Sequence, residues 1–273
     1  MSEKKPFNEV KDTSLETQLA EFVTVPPSEQ NAFDLFPTSW STAFEDVKTQ
    51  GHYPGTKDPR INWLLENVNL AGKSVLELGP LEAGHTYMLE KSGAKVLAVE
   101  ANKGAFLRSL IVKNHLNLSA KFLLGDFDKL NLANQSFELV LASGVLYHMT
   151  NPVEFLKKIS RASNKLFLWT HYFEPDLDKW NDCLANHLED GKWEYENPEI
   201  VNIDGLEIRL VKYNYKDALG WSGFCGGTEV YSKWIFKDDL LKLLDLLGFS
   251  QLKISFDDDE HQNGPSFCVL AEK

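Results

Sequence analysis

Cysteine is scarce: the 273 residues hold three, Cys183, Cys225 and Cys268. They have no metal-type spacing and cannot all pair, which excludes a disulfide framework and points to a reducing compartment. Basic residues are also few, 28 against 40 acidic, for a net charge of −12. Phosphate backbones and anionic lipids are held through Lys and Arg clusters, so this balance argues against nucleic acid or a membrane as partner. No apolar run reaches membrane-spanning length, and the polar start from Met1 to Asp12 has no signal-peptide core, so the expected location is cytoplasmic. What is present is an ordinary globular composition, 43% hydrophobic and 12% aromatic, at a length that can bury a sizeable core.

The first sixty residues carry Pro6, Pro26, Pro27, Pro37, Pro54 and Pro59, which exclude one long helix. Short helices are predicted at Thr13–Phe22 and Trp40–Val47, and a further one over Ile61–Val68. A regular alternation follows. Strands are predicted at Ser74–Leu78, Lys95–Glu100, Ala120–Leu124, Phe137–Ala142 and Leu166–Thr170. Helices fall between them at Ala83–Ser92, Lys103–Leu116 and Pro152–Ala162. This is the pattern of a parallel α/β sheet covered on both faces, whose strand ends meet at one crevice. From Glu174 the alternation stops. A helix near Leu177–Leu188, a hairpin of Lys192–Glu196 with Leu206–Tyr215, and a glycine-rich stretch Gly220–Gly227 are expected there, with a heavy aromatic load. Helix Lys237–Leu247 and an antiparallel pair, Gln251–Phe256 with Ser266–Ala271, close the chain.

Three strand ends carry matching chemistry. Glu77-Leu78-Gly79 ends the first, Glu100 the second, and Asp126-Phe127 follows the third. An acid at the tip of the second strand can accept both hydroxyls of a ribose. Gly79 permits a tight turn. Asp126 with Phe127 suits the amino edge and face of an adenine.

The runs VLELGPLEAGHT, VLAVEANK, FLLGDFDKL and FELVLASGVLYHMTNPVEFLKKI resemble the successive motifs of class I S-adenosylmethionine-dependent methyltransferases. The resemblance implies a Rossmann-like doubly wound sheet, mostly parallel, with an antiparallel C-terminal strand. It implies S-adenosyl-L-methionine as cofactor, held by Glu77, Gly79, Pro80, Glu100, Ala101, Asp126, Phe127 and Ser143. The expected division is an N-terminal extension or lid at 1–60, a core at 61–173 and 233–273, and a substrate-cap insertion at 174–232. Leu81 and Ala83 stand where the family's first motif has its second and third glycines, and Gly84 comes one place late. The loop path is therefore expected to differ from the family's. The GVLYH run is also similar to the tRNA wobble-uridine carboxymethyltransferases.

The strand-four end, Ala142-Ser143-Gly144, has neither the N/D-P-P-Y run of related families that methylate amines nor a carboxylate for magnesium, which favours metal-independent transfer to a hydroxyl oxygen, with carbon as the alternative. A neutral imidazole suits the proton removal, so His171 and His148 are the candidate bases, with Tyr147 beside the cofactor's sulfonium side. His85 lies in the cofactor loop. The expected acceptor is a small molecule of sugar, aromatic or polyketide type. Three alternatives stand beside it: a tRNA-modifying relative, a non-catalytic cofactor-binding module, and an NAD(P)-dependent oxidoreductase. Against the tRNA relative stands the charge, and none of the assigned crevice positions is basic. The insertion reads as a lid over substrate, or as a satellite core or homodimer contact. The acidic run Asp257–Glu260 reads as a solvated loop rather than a cation site.

Overall fold

The computed structural model describes residues 20–132, 135–174, 176, 191–220 and 226–273. The expected helices at Thr13–Phe22 and Leu177–Leu188 lie largely or wholly outside these residues, as do Trp180, Trp221 and Phe224. Ten strands are described: β1 Ser74–Leu78, β2 Lys95–Glu100, β3 Lys121–Leu124, β4 Leu139–Ser143, β5 Lys165–His171, β6 Trp193–Ile203, β7 Leu206–Asn214, β8 Tyr231–Ile235, β9 Gln251–Asp258 and β10 Ser266–Glu272. The helices are α1 Glu29–Phe33, α2 Pro59–Asn67, α3 Gly84–Lys91, α4 Lys103–His115, α5 Pro152–Ile159 and α6 Lys237–Leu246.

Seven strands form one sheet in the order β3-β2-β1-β4-β5-β10-β9. The first five are parallel, and β10 runs antiparallel to both β5 and β9. This is the Rossmann-like methyltransferase fold. Its strand order reverses between β1 and β4, and such a switch point opens a crevice at the carboxyl edge. Alternation along β1 explains how both faces are covered. Val75 packs with Ile61, Leu64 and Leu89 on one face, while Leu76 and Leu78 pack with Phe155, Leu156 and Leu240 on the other. Every strand of the centre therefore buries side chains twice, at about 25 cal/mol per Å² of apolar surface.

The remaining strands make a separate antiparallel sheet, β6-β7-β8. The expected hairpin is present but longer: β6 runs to Ile203 with a register shift between Glu194 and Glu199. Asp204 and Gly205, both left-handed at φ 50° and 88°, turn it tightly. β8 was not foreseen as a strand. Its Trp234 packs with Trp193, Val211 and Phe236 in a small aromatic core.

Trp40–Val47, expected as a helix, is not one. Thr42 instead bridges to Tyr53, and Gly51 lies so close to the Ser41 backbone that a Cβ there would sit 2.3 Å from it. That close approach holds the segment in an open turn rather than a helix. No helix among the described residues is long and apolar enough to cross a membrane.

Candidate active site

A cavity of about 740 Å³ opens at the carboxyl edge of β1–β5. Seven of the eight residues expected to hold the cofactor line it: Gly79, Pro80, Glu100, Ala101, Asp126, Phe127 and Ser143. Glu77 does not. It is fully buried beneath the loop, where Thr86 Oγ1 donates to one carboxylate oxygen at 2.5 Å and the other has no partner. Burial pushes its carboxyl up to about 7, against the pull of the Thr86 hydroxyl. Glu77 faces α3 because it shares the Val75 side of the strand, so it supports the loop from below.

Glu100 ends β2 at 6% exposure. One carboxylate oxygen accepts the Asn102 N–H at 2.7 Å, the other the Leu81 N–H at 3.2 Å. Each oxygen retains a further acceptor site, which fits a pair of ribose hydroxyls. Burial raises its carboxyl, and these amide bonds oppose the rise. Asp126 accepts the Asp128 N–H at 2.9 Å and pairs with Lys129 at 3.2 Å. Ser143 Oγ is buried without a protein partner in the cavity wall. A nucleoside-bearing cofactor fits this set of acceptors and the unpaired hydroxyl.

The loop between β1 and α3 has a left-handed residue at Gly79 (φ 67°), Leu81 (φ 54°) and Ala83 (φ 58°). The two non-glycine residues therefore hold the backbone shape at the very positions where glycine is usual, at a cost of about 1–2 kcal/mol each. Gly84, the displaced glycine, has a different task. A Cβ on it would lie 2.6 Å from the Gly55 backbone, so it admits the N-terminal segment against α3. Glu82 completes that seam. Its buried carboxylate accepts the N–H groups of Ser41 at 2.9 Å and Thr42 at 2.7 Å, and the Arg108 Nε at 3.1 Å.

The expected bases separate. Tyr147 and His148 line the cavity; His171 does not. β5 extends through His171, which is 4% exposed and stacked on Trp234 at 5.2 Å. Its Nδ1 donates to the Gly264 and Pro265 carbonyls at 2.8 and 3.2 Å. Burial, then the neighbouring His261, pushes it down to about 4. This corrects the view that a His directly past a buried strand must project into the crevice. His148 Nδ1 lies 2.9 Å from the Tyr215 hydroxyl, and burial pushes it down to about 3. Asp257, in the acidic run, accepts the Tyr172 hydroxyl at 3.0 Å and pairs with Lys237.

Sequence reasoning missed a polar cluster at the β4–β5 end of the cavity. Tyr53, Arg60 and His85 line it, and all three meet at the buried carboxylate of Asp58. Arg60 donates through Nε to Asp58 at 3.0 Å and through Nη2 to the Tyr53 hydroxyl at 2.6 Å. Its guanidinium lies 4.3 Å from the Trp169 ring. The cavity lining thus includes two basic residues, Arg60 and Lys103, neither of them among the positions assigned from sequence, and Arg60 is engaged by a carboxylate. Burial works against ionisation of Asp58, yet the bonds from His85 and Arg60 hold its carboxyl well below the usual range. Burial also pushes the Tyr53 phenol above its ordinary value. The N-terminal capping position of Asp58, with Pro59 next to it, was the available signal.

Residues 76–165 match the methyltransferase domain family model. The tRNA U34 carboxymethyltransferase of Campylobacter concisus (strain 13826) is 25% identical over 123 residues, 44% of this chain and 43% of that protein. The chain thus matches under half the length of such curated relatives. The N-terminal domain of EvdMO1, solved in the presence of SAH and D-fucose, is similar at a TM-score of 0.66 and 22% identity, over 89% of this chain and 94% of that one. Magnesium protoporphyrin IX methyltransferase from Synechocystis PCC 6803, with bound SAH, gives 0.51 at 15% identity, over 78% and 80%.

Proposed function

We propose that the chain, whose residues 76–165 match the methyltransferase domain family model, transfers the methyl group of S-adenosylmethionine to a hydroxyl of a small molecule, a sugar foremost. The cofactor supplies an electrophilic methyl on a sulfonium. The single observation that carries the reading is the polarity of this cavity. Glu100 and Asp126 with Phe127 stand at its β2–β3 end, and Tyr147, Trp169 and Arg60 at its β4–β5 end. The first group suits ribose and adenine. The second offers ring faces and fixed donors, the usual surface for a sugar. EvdMO1 gives the sugar reading further support, since its domain was solved with D-fucose.

Gly79 would let the loop backbone approach the cofactor, since a Cβ there would sit 2.9 Å from Val145 Cγ2. Glu100 would hold the ribose, and Ser143 would offer its unpaired hydroxyl. In-line displacement needs such positioning above all, with water kept out.

The similarity to tRNA U34 carboxymethyltransferases favours a second reading, in which the acceptor is a tRNA base. The net charge of −12 favours the small molecule. The test is transfer of labelled methyl from S-adenosylmethionine to D-fucose and related sugars, against unmodified tRNA. Label on the sugar supports the first reading; label on tRNA alone overturns it.

A further inference from the structure

Three of the cavity's neighbours could take a proton, and local bonding distinguishes them. His171 is behind the wall, and the ring of His148 is bonded through Nδ1 to the neutral Tyr215 hydroxyl, with no carboxylate among the described contacts to steady a cation. His85 lines the cavity from the first turn of α3, at the end where Arg60 covers Trp169. Its Nε2 lies 2.8 Å from Asp58 Oδ2 and 2.9 Å from the Tyr53 hydroxyl.

The direction of these bonds is fixed by Asp58. An ionised carboxylate oxygen is only an acceptor, so a bare lone pair on Nε2 facing it at 2.8 Å would be repulsive. Nε2 therefore carries a hydrogen shared between Asp58 and Tyr53. Tyr53 in turn donates its own hydrogen to Asp58 and accepts from Arg60. In the neutral imidazole the remaining lone pair is on Nδ1, a nitrogen with no protein partner among the described contacts. This is the arrangement in which a carboxylate holds one imidazole tautomer and steadies the cation that forms.

We propose that His85 is the general base of the transfer, with Asp58 as the positioning residue that holds its Nδ1 free; this rests on the hydroxyl-acceptor reading above. The acceptor oxygen forms its bond to the methyl carbon as the carbon–sulfur bond breaks, with that electron pair left on sulfur. The hydroxyl proton passes to Nδ1. Charge balances: the sulfonium becomes a neutral thioether, and the new imidazolium lies against the Asp58 carboxylate. Arg60 neutralises that carboxylate beforehand and keeps it ionised.

The test uses the full chain with ¹⁵N-labelled histidine. At a pH where the ring is neutral, long-range ¹H–¹⁵N NMR should show the His85 hydrogen on Nε2, and Asp58→Asn should lose that bias. Asn still caps α2 and still accepts a hydrogen bond, and circular dichroism with S-adenosylhomocysteine binding checks that the variant is folded. With methyl-labelled S-adenosylmethionine and D-fucose, His85→Gln should lower transfer by about a hundredfold or more, and Asp58→Asn by about tenfold. S-adenosylhomocysteine affinity should stay within about threefold in both. A hydrogen on Nδ1 of the wild-type ring, or transfer by His85→Gln near the wild-type rate, overturns the assignment. If the wild type binds S-adenosylhomocysteine but labels no sugar, the sugar reading fails, and the tautomer alone decides whether the dyad exists.

Discussion

Glu82 accepts the Thr42 N–H at 2.7 Å, and through that bond the loop after β1 is joined to the N-terminal segment. The same carboxylate holds Arg108 of α4, with both side chains buried. The N-terminal segment is thereby part of the cavity wall, and it delivers Tyr53 and Asp58 to His85.

Glu82→Ala should cost about 3–5 kcal/mol, because it leaves Arg108 buried without a counter-charge. Chemical denaturation checks this. A loss under about 1 kcal/mol would mean that the seam contributes little.

Gly84→Ala should cost about 1–3 kcal/mol, since the new methyl meets the Gly55 backbone at 2.6 Å and neither backbone can yield easily. The measurement is again denaturation, with Gly72→Ser as a control for a site where nothing crowds an added Cβ. Gly72 is left-handed, so the control reports backbone strain alone.

Two buried histidines set an acid limit. His171 and His148 stay neutral in the fold down to about 4 and about 3, whereas unfolded they take protons near 6.5. Between pH 6.5 and 4 the unfolded chain binds protons the native one refuses, so stability falls as pH falls. The slope is about 1.4 kcal/mol per pH unit for each. His171→Phe should flatten the curve in that window and leave the pH dependence above pH 7 unchanged, as denaturation across the pH range checks.

Glu77 acts with the opposite sign. Its folded value is raised to about 7, so its contribution is complete below about 4.5 and is lost as pH rises to 7. Glu77→Gln keeps an acceptor for Thr86 and removes that loss. The variant should gain on the wild type by about 1.4 kcal/mol per pH unit across pH 4.5–7, then run parallel. Parallel curves throughout would show that Glu77 is ionised in the fold.

The core was legible because each strand is a short apolar run whose period and length leave no helical alternative, as in Ser74–Leu78. The strand-end acids were legible too, since a parallel sheet brings all carboxyl ends to one edge. His171 misled because one more residue of pairing, to Ser266, turns a loop position into a buried one. The Tyr53–Asp58–Arg60–His85 cluster was hidden for another reason. Its members come from a proline-rich stretch and a helix start, joined by side-chain bonds across 27 and 32 residues that no periodicity announces. β8 was obscured because it is a five-residue strand whose described ladder is with β7, within an aromatic stretch that has no alternation of its own.

Calorimetric titration of S-adenosylhomocysteine into the wild type and Glu100→Ala bears most directly on the cavity as a cofactor site. Each lost bond from a ribose hydroxyl to this carboxylate is worth about 1.5–3 kcal/mol. The wild type should bind one equivalent, and Glu100→Ala should bind at least about tenfold more weakly. Equal affinities, or a wild type that takes NADH in place of S-adenosylhomocysteine, would contradict it.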